Sequence, residues 1–177
     1  MDRKDFKYIY GPVSSWRLGR SLGIDPVFQG KKVCSFDCVY CQLGSTRILT
    51  AKRKIFVSVE KIMKELETLP KLEIDYISFA GTGEPTLARN LGKMIVAVKK
   101  LRPEKVAVIT NASLMGRGDV QKDLLAADVV IAKLDAASEE VFEKVNRPCR
   151  SIRFESTAQG IKDFRDIFKG KLFLQIM

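Results

Sequence analysis

Three of the chain's four cysteines fall within eight positions, Cys34-Ser35-Phe36-Asp37-Cys38-Val39-Tyr40-Cys41. Thiolates gathered at that density are ligands for a soft metal. Disulfides, the competing use, are disfavoured in a reducing compartment. Buried cysteines also behave as small hydrophobes, but chance clustering explains this spacing poorly. A structural zinc site wants four protein ligands. The chain has no histidine, so only the distant Cys149 or a carboxylate could complete a zinc site, and zinc fits badly. An iron–sulfur cluster is held by thiolates and tolerates three protein ligands where one iron is to stay open. The missing histidine also removes the commonest general base.

The other residues able to do chemistry sit where short apolar runs end. Gly81-Thr82-Gly83-Glu84-Pro85 follows Ile74–Ala80, Thr110-Asn111 closes Val106–Thr110, and Asp135 follows Val129–Leu134 with Lys133 at its end. These runs are rich in β-branched residues and read as buried strands. Between them lie helical stripes: Val59, Ile62, Met63, Leu66 and Leu69, then Leu87 to Leu101, then about 120–126, 139–145 and 157–168. Ser58 is the expected N-cap of the first stripe, and Pro70 lies just past its end. Strand–helix alternation predicts a parallel sheet with right-handed crossovers, either open or closing toward a barrel. Both forms place sites at the C-terminal edge of the strands. A last apolar strand at 172–176 with no covering helix predicts that the natural protein continues past Met177.

The 177 residues suffice for one core and show no sign of a second domain. The longest apolar runs are too short to span a bilayer, and the charged Met1–Asp5 start leads into no signal-peptide core. A cytoplasmic location without membrane association is therefore expected. The formal charge of +10 points to acidic partners, nucleic acid first, or else to a solvated lysine-rich surface.

The spacing Cys-x3-Cys-x2-Cys with Tyr40 before the last cysteine, followed in order by Gly81–Pro85, Thr110-Asn111 and Lys133–Asp135, resembles the radical S-adenosylmethionine (SAM) superfamily over nearly the whole chain. The resemblance implies an α/β fold, a partial (β/α)6 barrel truncated here after its fifth strand. Residues 1–33 would hold a lead-in and the first strand, somewhere in Ile24–Val33, and residues 34–41 the cluster loop. It implies that Cys34, Cys38 and Cys41 bind a 4Fe–4S cluster whose open iron takes the amino and carboxylate groups of SAM. One electron would then release a 5′-deoxyadenosyl radical that removes hydrogen from a substrate. Gly81, Thr82 and Gly83 would bring backbone close to the SAM amino group, and Glu84 would hold that ammonium or cap the helix after Pro85. Tyr40 would lie near the adenine or pack in the loop. Asn111 and Asp135 would meet the ribose or carboxylate of SAM, or serve as turn residues. Lys133 has a snorkelling lysine as its plainer role and Schiff-base chemistry as the alternative.

The segment Gly11–Ile24, together with the cysteine run, is similar to an uncharacterised archaeal and bacterial group related to the tRNA wyosine-base synthase. Ser14-Ser15-Trp16 replaces the group's usual Pro-Ser-Arg, and no cysteine precedes Cys34, so the second cluster of the wyosine enzyme has no ligands here. Arg17 and Arg20 suit an anionic substrate or a structural turn. The resemblance implies a flavodoxin- or ferredoxin-like electron donor. The substrate is a tRNA base on the charge and the relatives, or a small molecule or protein on the motifs alone. A non-enzymatic iron–sulfur or zinc sensor is the third reading, and Gly81–Pro85 argues against it. Cys149, between Pro148 and Arg150, carries no ligand spacing and is expected to be a free buried thiol.

Overall fold

The computed structural model describes residues 6–177, and the charged Met1–Asp5 segment lies outside them. The chain opens with a hairpin, β1 (Ile9–Ser15) and β2 (Gly19–Ile24). Two short strands, β3 (Val33–Cys34) and β4 (Ile48–Leu49), then bracket the cysteine loop. The rest alternates: α1 (Val59–Glu67), β5 (Tyr76–Phe79), α2 (Leu91–Leu101), β6 (Lys105–Thr110), α3 (Gly118–Leu124), β7 (Val129–Lys133), α4 (Glu139–Val145), α5 (Phe154–Ile167) and β8 (Lys171–Gln175). The main sheet has six strands in the order β1-β2-β5-β6-β7-β8. β2 to β8 pair in parallel, and β1 is antiparallel to β2.

This corrects the expected first strand, placed at 24–33 by the sequence. The strand is Gly19–Ile24, and it ends where the expected range begins. Its composition hides it, because only Leu22 and Ile24 face the main core while Gly23 occupies the other face. The ring of Tyr10, paired with Gly23 across the hairpin, fills the space a Cβ would take at that position. The glycine thus makes room for an aromatic neighbour instead of marking a loop. The expected all-parallel sheet becomes a mixed one for the same reason.

Period-2 alternation sorts the strands into two faces. Leu22, Ile24, Ile77, Phe79, Val106, Val108 and Val130 join Ile62, Leu66, Met94, Ile95, Val98, Val120, Leu124 and Phe164 of the helices in one core. Each such fully buried aliphatic or aromatic side chain contributes about 1.5–3 kcal/mol. On the opposite face Ala107, Val129 and Ile131 pack with Leu18 from the tip of the hairpin. Local signals set the helix ends. Ser58 accepts from the Lys61 amide at the start of α1, as its type and position predict, and Ser138 caps α4 in the same way. α5 begins three residues before the expected 157, because the Glu139 carboxylate accepts the Phe154 amide at 2.8 Å. That cap comes from another helix and has no local signature.

Candidate functional site

The cysteine loop leaves the sheet after β2 and is pinned at both ends. Its base pairs in parallel, Val33 with Ile48 and Cys34 with Leu49. The Cys41 amide donates to the Cys38 carbonyl at 3.1 Å and the Gly44 amide to Cys41 at 2.9 Å, giving two successive turns. The buried Lys32 ammonium donates to the Gly44 carbonyl at 2.7 Å, and Asp37 accepts from the Thr46 amide at 2.6 Å. All four cysteines are free thiols of intermediate exposure.

Two other segments clasp this loop. On one side, Val33 donates to the Thr82 carbonyl and accepts from the Glu84 amide, each at 3.1 Å, so the loop's base pairs with the Gly81–Pro85 turn at the end of β5. On the other, 145–149 runs antiparallel to it: Asp37 donates to the Asn146 carbonyl at 3.0 Å, Val39 to Val145 at 2.9 Å, and Cys149 to Ser35 at 2.8 Å. Phe36 packs edge-on against Phe142 of α4, with centroids 5.2 Å apart.

Both glycines of the Gly81–Pro85 turn are explained by neighbours. Gly81 has φ 144°, and a Cβ there would collide with the Asp25 side chain. A Cβ on Gly83 would strike the Val33 carbonyl, the acceptor that joins this turn to the cysteine loop. Asp25 itself escapes sequence reading because Ile-Asp-Pro looks like a simple turn. It lies buried at the end of β2, accepting from the Thr82 amide at 2.8 Å, the Thr82 hydroxyl at 2.7 Å and the Val27 amide at 3.1 Å. Burial pushes its carboxyl above the ordinary range, and the Thr82 bonds oppose that rise.

Glu84 is fully buried, and burial raises its carboxyl too, against the bonds from Thr110 and Thr86. One oxygen accepts from the Thr86 amide at 3.0 Å and from the Thr86 and Thr110 hydroxyls at 2.6 Å; the other accepts from the Asn111 amide at 2.8 Å. It caps the short 3-10 turn Pro85–Leu87, the alternative named for it above, and ties β5 to the end of β6. Asn111 turns its side-chain amide toward Cys34 Sγ at 3.6 Å and Ser35 Oγ at 2.9 Å.

At the end of β7 the Tyr40 hydroxyl donates to the Asp135 carboxylate, and Lys133 Nζ lies 3.4 Å from the same carboxylate and 5.0 Å from the centre of the Tyr40 ring. Burial first, then the bond to Asp135, raises the Tyr40 phenol. Asn146, which sequence reading passes over, donates from Nδ2 to Cys38 Sγ at 3.5 Å and to the Tyr40 hydroxyl at 3.2 Å. The structure thus brings Cys34, Cys38, Tyr40, Gly81–Glu84, Asn111 and Asp135 to one end of the sheet. Arg17 and Arg20 lie apart from them, at the opposite end, where the Arg20 amide donates to Asp75 at the foot of β5. A cavity of about 630 Å³, lined by Tyr10, Asp25, Phe28, Leu43, Gly81 and Thr82 among others, opens beside the turn. Its volume is within the range of small-molecule pockets.

The donor set suits a 4Fe–4S cluster. Burial, followed by the nearby Glu84 charge, pushes the Cys34 thiol up to about 12. Amide donors reach the sulfurs of Cys34 and Cys38, as sulfur ligands of such clusters use them. As the side chains lie, no group of three or more cysteine, aspartate or glutamate side chains among the described residues forms a ready metal cage.

Residues 31–177 match the Radical SAM superfamily, and the chain belongs to it. Membership implies a 4Fe–4S cluster and SAM as cofactors. The chain is 43% identical over 172 residues to the UPF0026 protein of Synechocystis sp., covering 97% of this chain and 64% of that protein. It is 41% identical to the UPF0026 protein of Methanocaldococcus jannaschii, covering 95% of this chain and 53% of the relative. It thus spans between half and two-thirds of the length of these relatives. Among solved structures it is similar to TYW1 with a lysine–pyruvate adduct bound, at TM-score 0.65 and 16% identity over 91% of this chain and 57% of that one. It is also similar to anSMEcpe with bound AdoMet, at TM-score 0.60 and 19% identity over 87% and 42%. These last two likenesses are of fold.

Proposed function

We propose that this chain is the core of a radical SAM enzyme, with the cluster on Cys34, Cys38 and Cys41 and SAM against Gly81–Glu84. One observation carries the reading: Val33, the residue before Cys34, is hydrogen-bonded through both its amide and its carbonyl to the Gly81–Pro85 turn. The two motifs that define the chemistry therefore form one rigid edge. A cluster held by Cys34, Cys38 and Cys41, with SAM beside it, would supply one-electron radical chemistry for removing hydrogen from a substrate carbon. The protein's part is to position and shield. Asp25 and Glu84 fix the turn, Asn111 and Asn146 face the cysteines, and Lys133, Tyr40 and Asp135 form a polar cluster beside them. The five parallel strands are read as those of a partial (β/α)6 barrel. A cytoplasmic setting and a flavodoxin- or ferredoxin-like electron donor belong to the same reading.

The substrate in this reading is a tRNA base. The net charge of +10 supports it, and exposed Arg47, Arg147 and Arg150 flank the cysteine loop or the strand that clasps it. The test is anaerobic: the protein is reconstituted with iron and sulfide, reduced and given SAM, and 5′-deoxyadenosine is measured with and without tRNA. Product that depends on the cluster and rises with tRNA supports both levels of the proposal. Product indifferent to tRNA transfers the reading to a small-molecule or protein substrate. No product from a fully loaded protein of the relatives' full length overturns the enzyme and favours a metal sensor.

A further inference from the structure

Asn146 is a buried asparagine whose backbone and side chain have separate tasks. Its backbone carbonyl accepts from Asp37 at 3.0 Å and its amide closes α4 on Phe142 at 2.9 Å. Neither bond needs the side chain. The side chain is nevertheless a carboxamide in a position only 2% exposed, and its Oδ1 is buried with no partner. An unsatisfied buried oxygen is unfavourable, so local stability does not explain an asparagine here. The two N–H bonds do: Nδ2 reaches Cys38 Sγ at 3.5 Å and the Tyr40 hydroxyl at 3.2 Å.

The amide's orientation is fixed from both ends. The Tyr40 proton is committed to Asp135, which leaves the phenol oxygen as an acceptor. A metal-bound thiolate likewise only accepts. Turning the amide over would set Oδ1 against two acceptors.

The backbone that carries each asparagine is constrained as well. The two non-glycine residues with left-handed φ among the described residues are Arg147, at 46°, and Ala112, at 62°. Each directly follows an asparagine that reaches a cysteine sulfur, Asn146 to Cys38 and Asn111 to Cys34. Arg147 is the residue just past the C-cap of α4, where a left-handed residue commonly ends a helix, and Ala112 follows the end of β6, so each turn fixes the backbone beside its asparagine.

We propose that Asn146 is a positioning and tuning residue: its side-chain amide hydrogen-bonds the sulfur of Cys38, holds Tyr40 to the same ligand, and raises the reduction potential of the cluster. The inference rests on the cluster reading above. Reduction adds negative charge to the cluster and its sulfurs, so an N–H dipole aimed at a sulfur stabilises the reduced form more than the oxidised one. Removing the donor makes reduction harder.

The test compares wild-type protein with Asn146→Leu, which removes the donors, and Asn146→Asp, which puts a carboxylate in their place. Each is reconstituted, its iron and sulfide are counted, and its midpoint potential is measured by EPR-monitored titration. At the wild-type midpoint the reduced-to-oxidised ratio in Asn146→Leu is expected to fall about tenfold, a shift of about 59 mV to more negative potential for a one-electron couple. Asn146→Asp should move further in the same direction. Loaded variants that keep the wild-type potential overturn the proposal and leave the cluster reading standing. A wild-type protein that takes up no cluster ends both. Should neither variant hold a cluster, wild-type protein labelled with ¹⁵N in its asparagine side chains decides. Two hyperfine couplings to the reduced cluster, from Asn111 and Asn146, support the proposal, and fewer overturn it.

Discussion

Gly83 is glycine because the Val33 carbonyl stands where its Cβ would be, and that carbonyl belongs to the backbone and has no rotamer by which to retreat. Gly83→Ala must therefore separate the motif turn from the base of the cysteine loop. The expected loss is about 3 kcal/mol, at the upper end for overpacking, read by urea unfolding, with iron uptake falling in parallel. Unchanged stability would show that the two segments are not tightly joined. The cysteine loop and the Gly81–Pro85 turn, which the structure sets side by side, were legible in sequence because each is a run of nearly consecutive residues. Asn146 was not, since it stands 108 positions from Cys38 and carries no motif. Glu84 was legible as a carboxylate at the end of a strand, with capping as one of its two expected roles, but its bonding to Thr110 and Asn111 depends on how β5 and β6 lie side by side.

Between elements, the main polar clamp is Arg53, whose side chain is 3% exposed. Its guanidinium donates to the carbonyls of Thr86 at 2.8 Å and Ala88 at 3.0 Å, to Asp119 at 2.8 Å, and to Asp123. It ties the segment before α1 to the turn after the motif and to α3. Arg53→Leu leaves Asp123 and two carbonyls without their partner and should lower stability by about 3–5 kcal/mol. Denaturant melts at neutral pH measure it; a loss under 1 kcal/mol would contradict the clamp. The same cluster gives a pH dependence. Hydrogen bonding from Arg117, then from Arg53, holds the Asp119 carboxyl well below its ordinary range. Its stabilisation is thus complete above the unfolded carboxylate range, near pH 4, and is lost as pH falls below it. Between about pH 4 and 2, wild type should lose stability more steeply than Asp119→Asn; parallel curves would contradict the assignment. At this scale the sequence was readable wherever hydrophobic periodicity was strong, as in α1, α2, β6 and β7. The β1–β2 hairpin was hidden because Gly23 and Ser21 face one side and make a buried strand look like a loop.

Across the whole molecule, excess positive charge is spread over a surface with mixed ion pairs, and part of it lies beside the site. Arg47 follows Thr46, which bonds the Phe36 carbonyl at 2.7 Å, and the Asp37 carboxyl is lowered first by the Thr46 amide and also by the nearby Lys32 and Arg147 charges. If RNA is the substrate, tRNA affinity should fall on the order of a hundredfold between about 50 and 200 mM salt. Affinity that is immeasurable at low salt would remove RNA from consideration. The charge was legible from composition, but its location beside the cysteine loop was legible only for Arg47, because Arg147 and Arg150 come to that loop only in the folded chain. No helix among the described residues is long and apolar enough to cross a membrane.

In the function proposed for this chain, Cys34, Cys38 and Cys41 hold a cluster to which SAM binds directly. The most direct measurement is the EPR spectrum of the reduced, reconstituted protein before and after SAM is added. A signal whose g-values shift on adding SAM is expected, with the signal and the iron lost in Cys38→Ala. A fully loaded cluster whose spectrum ignores SAM, or one that survives Cys38→Ala unchanged, would contradict it.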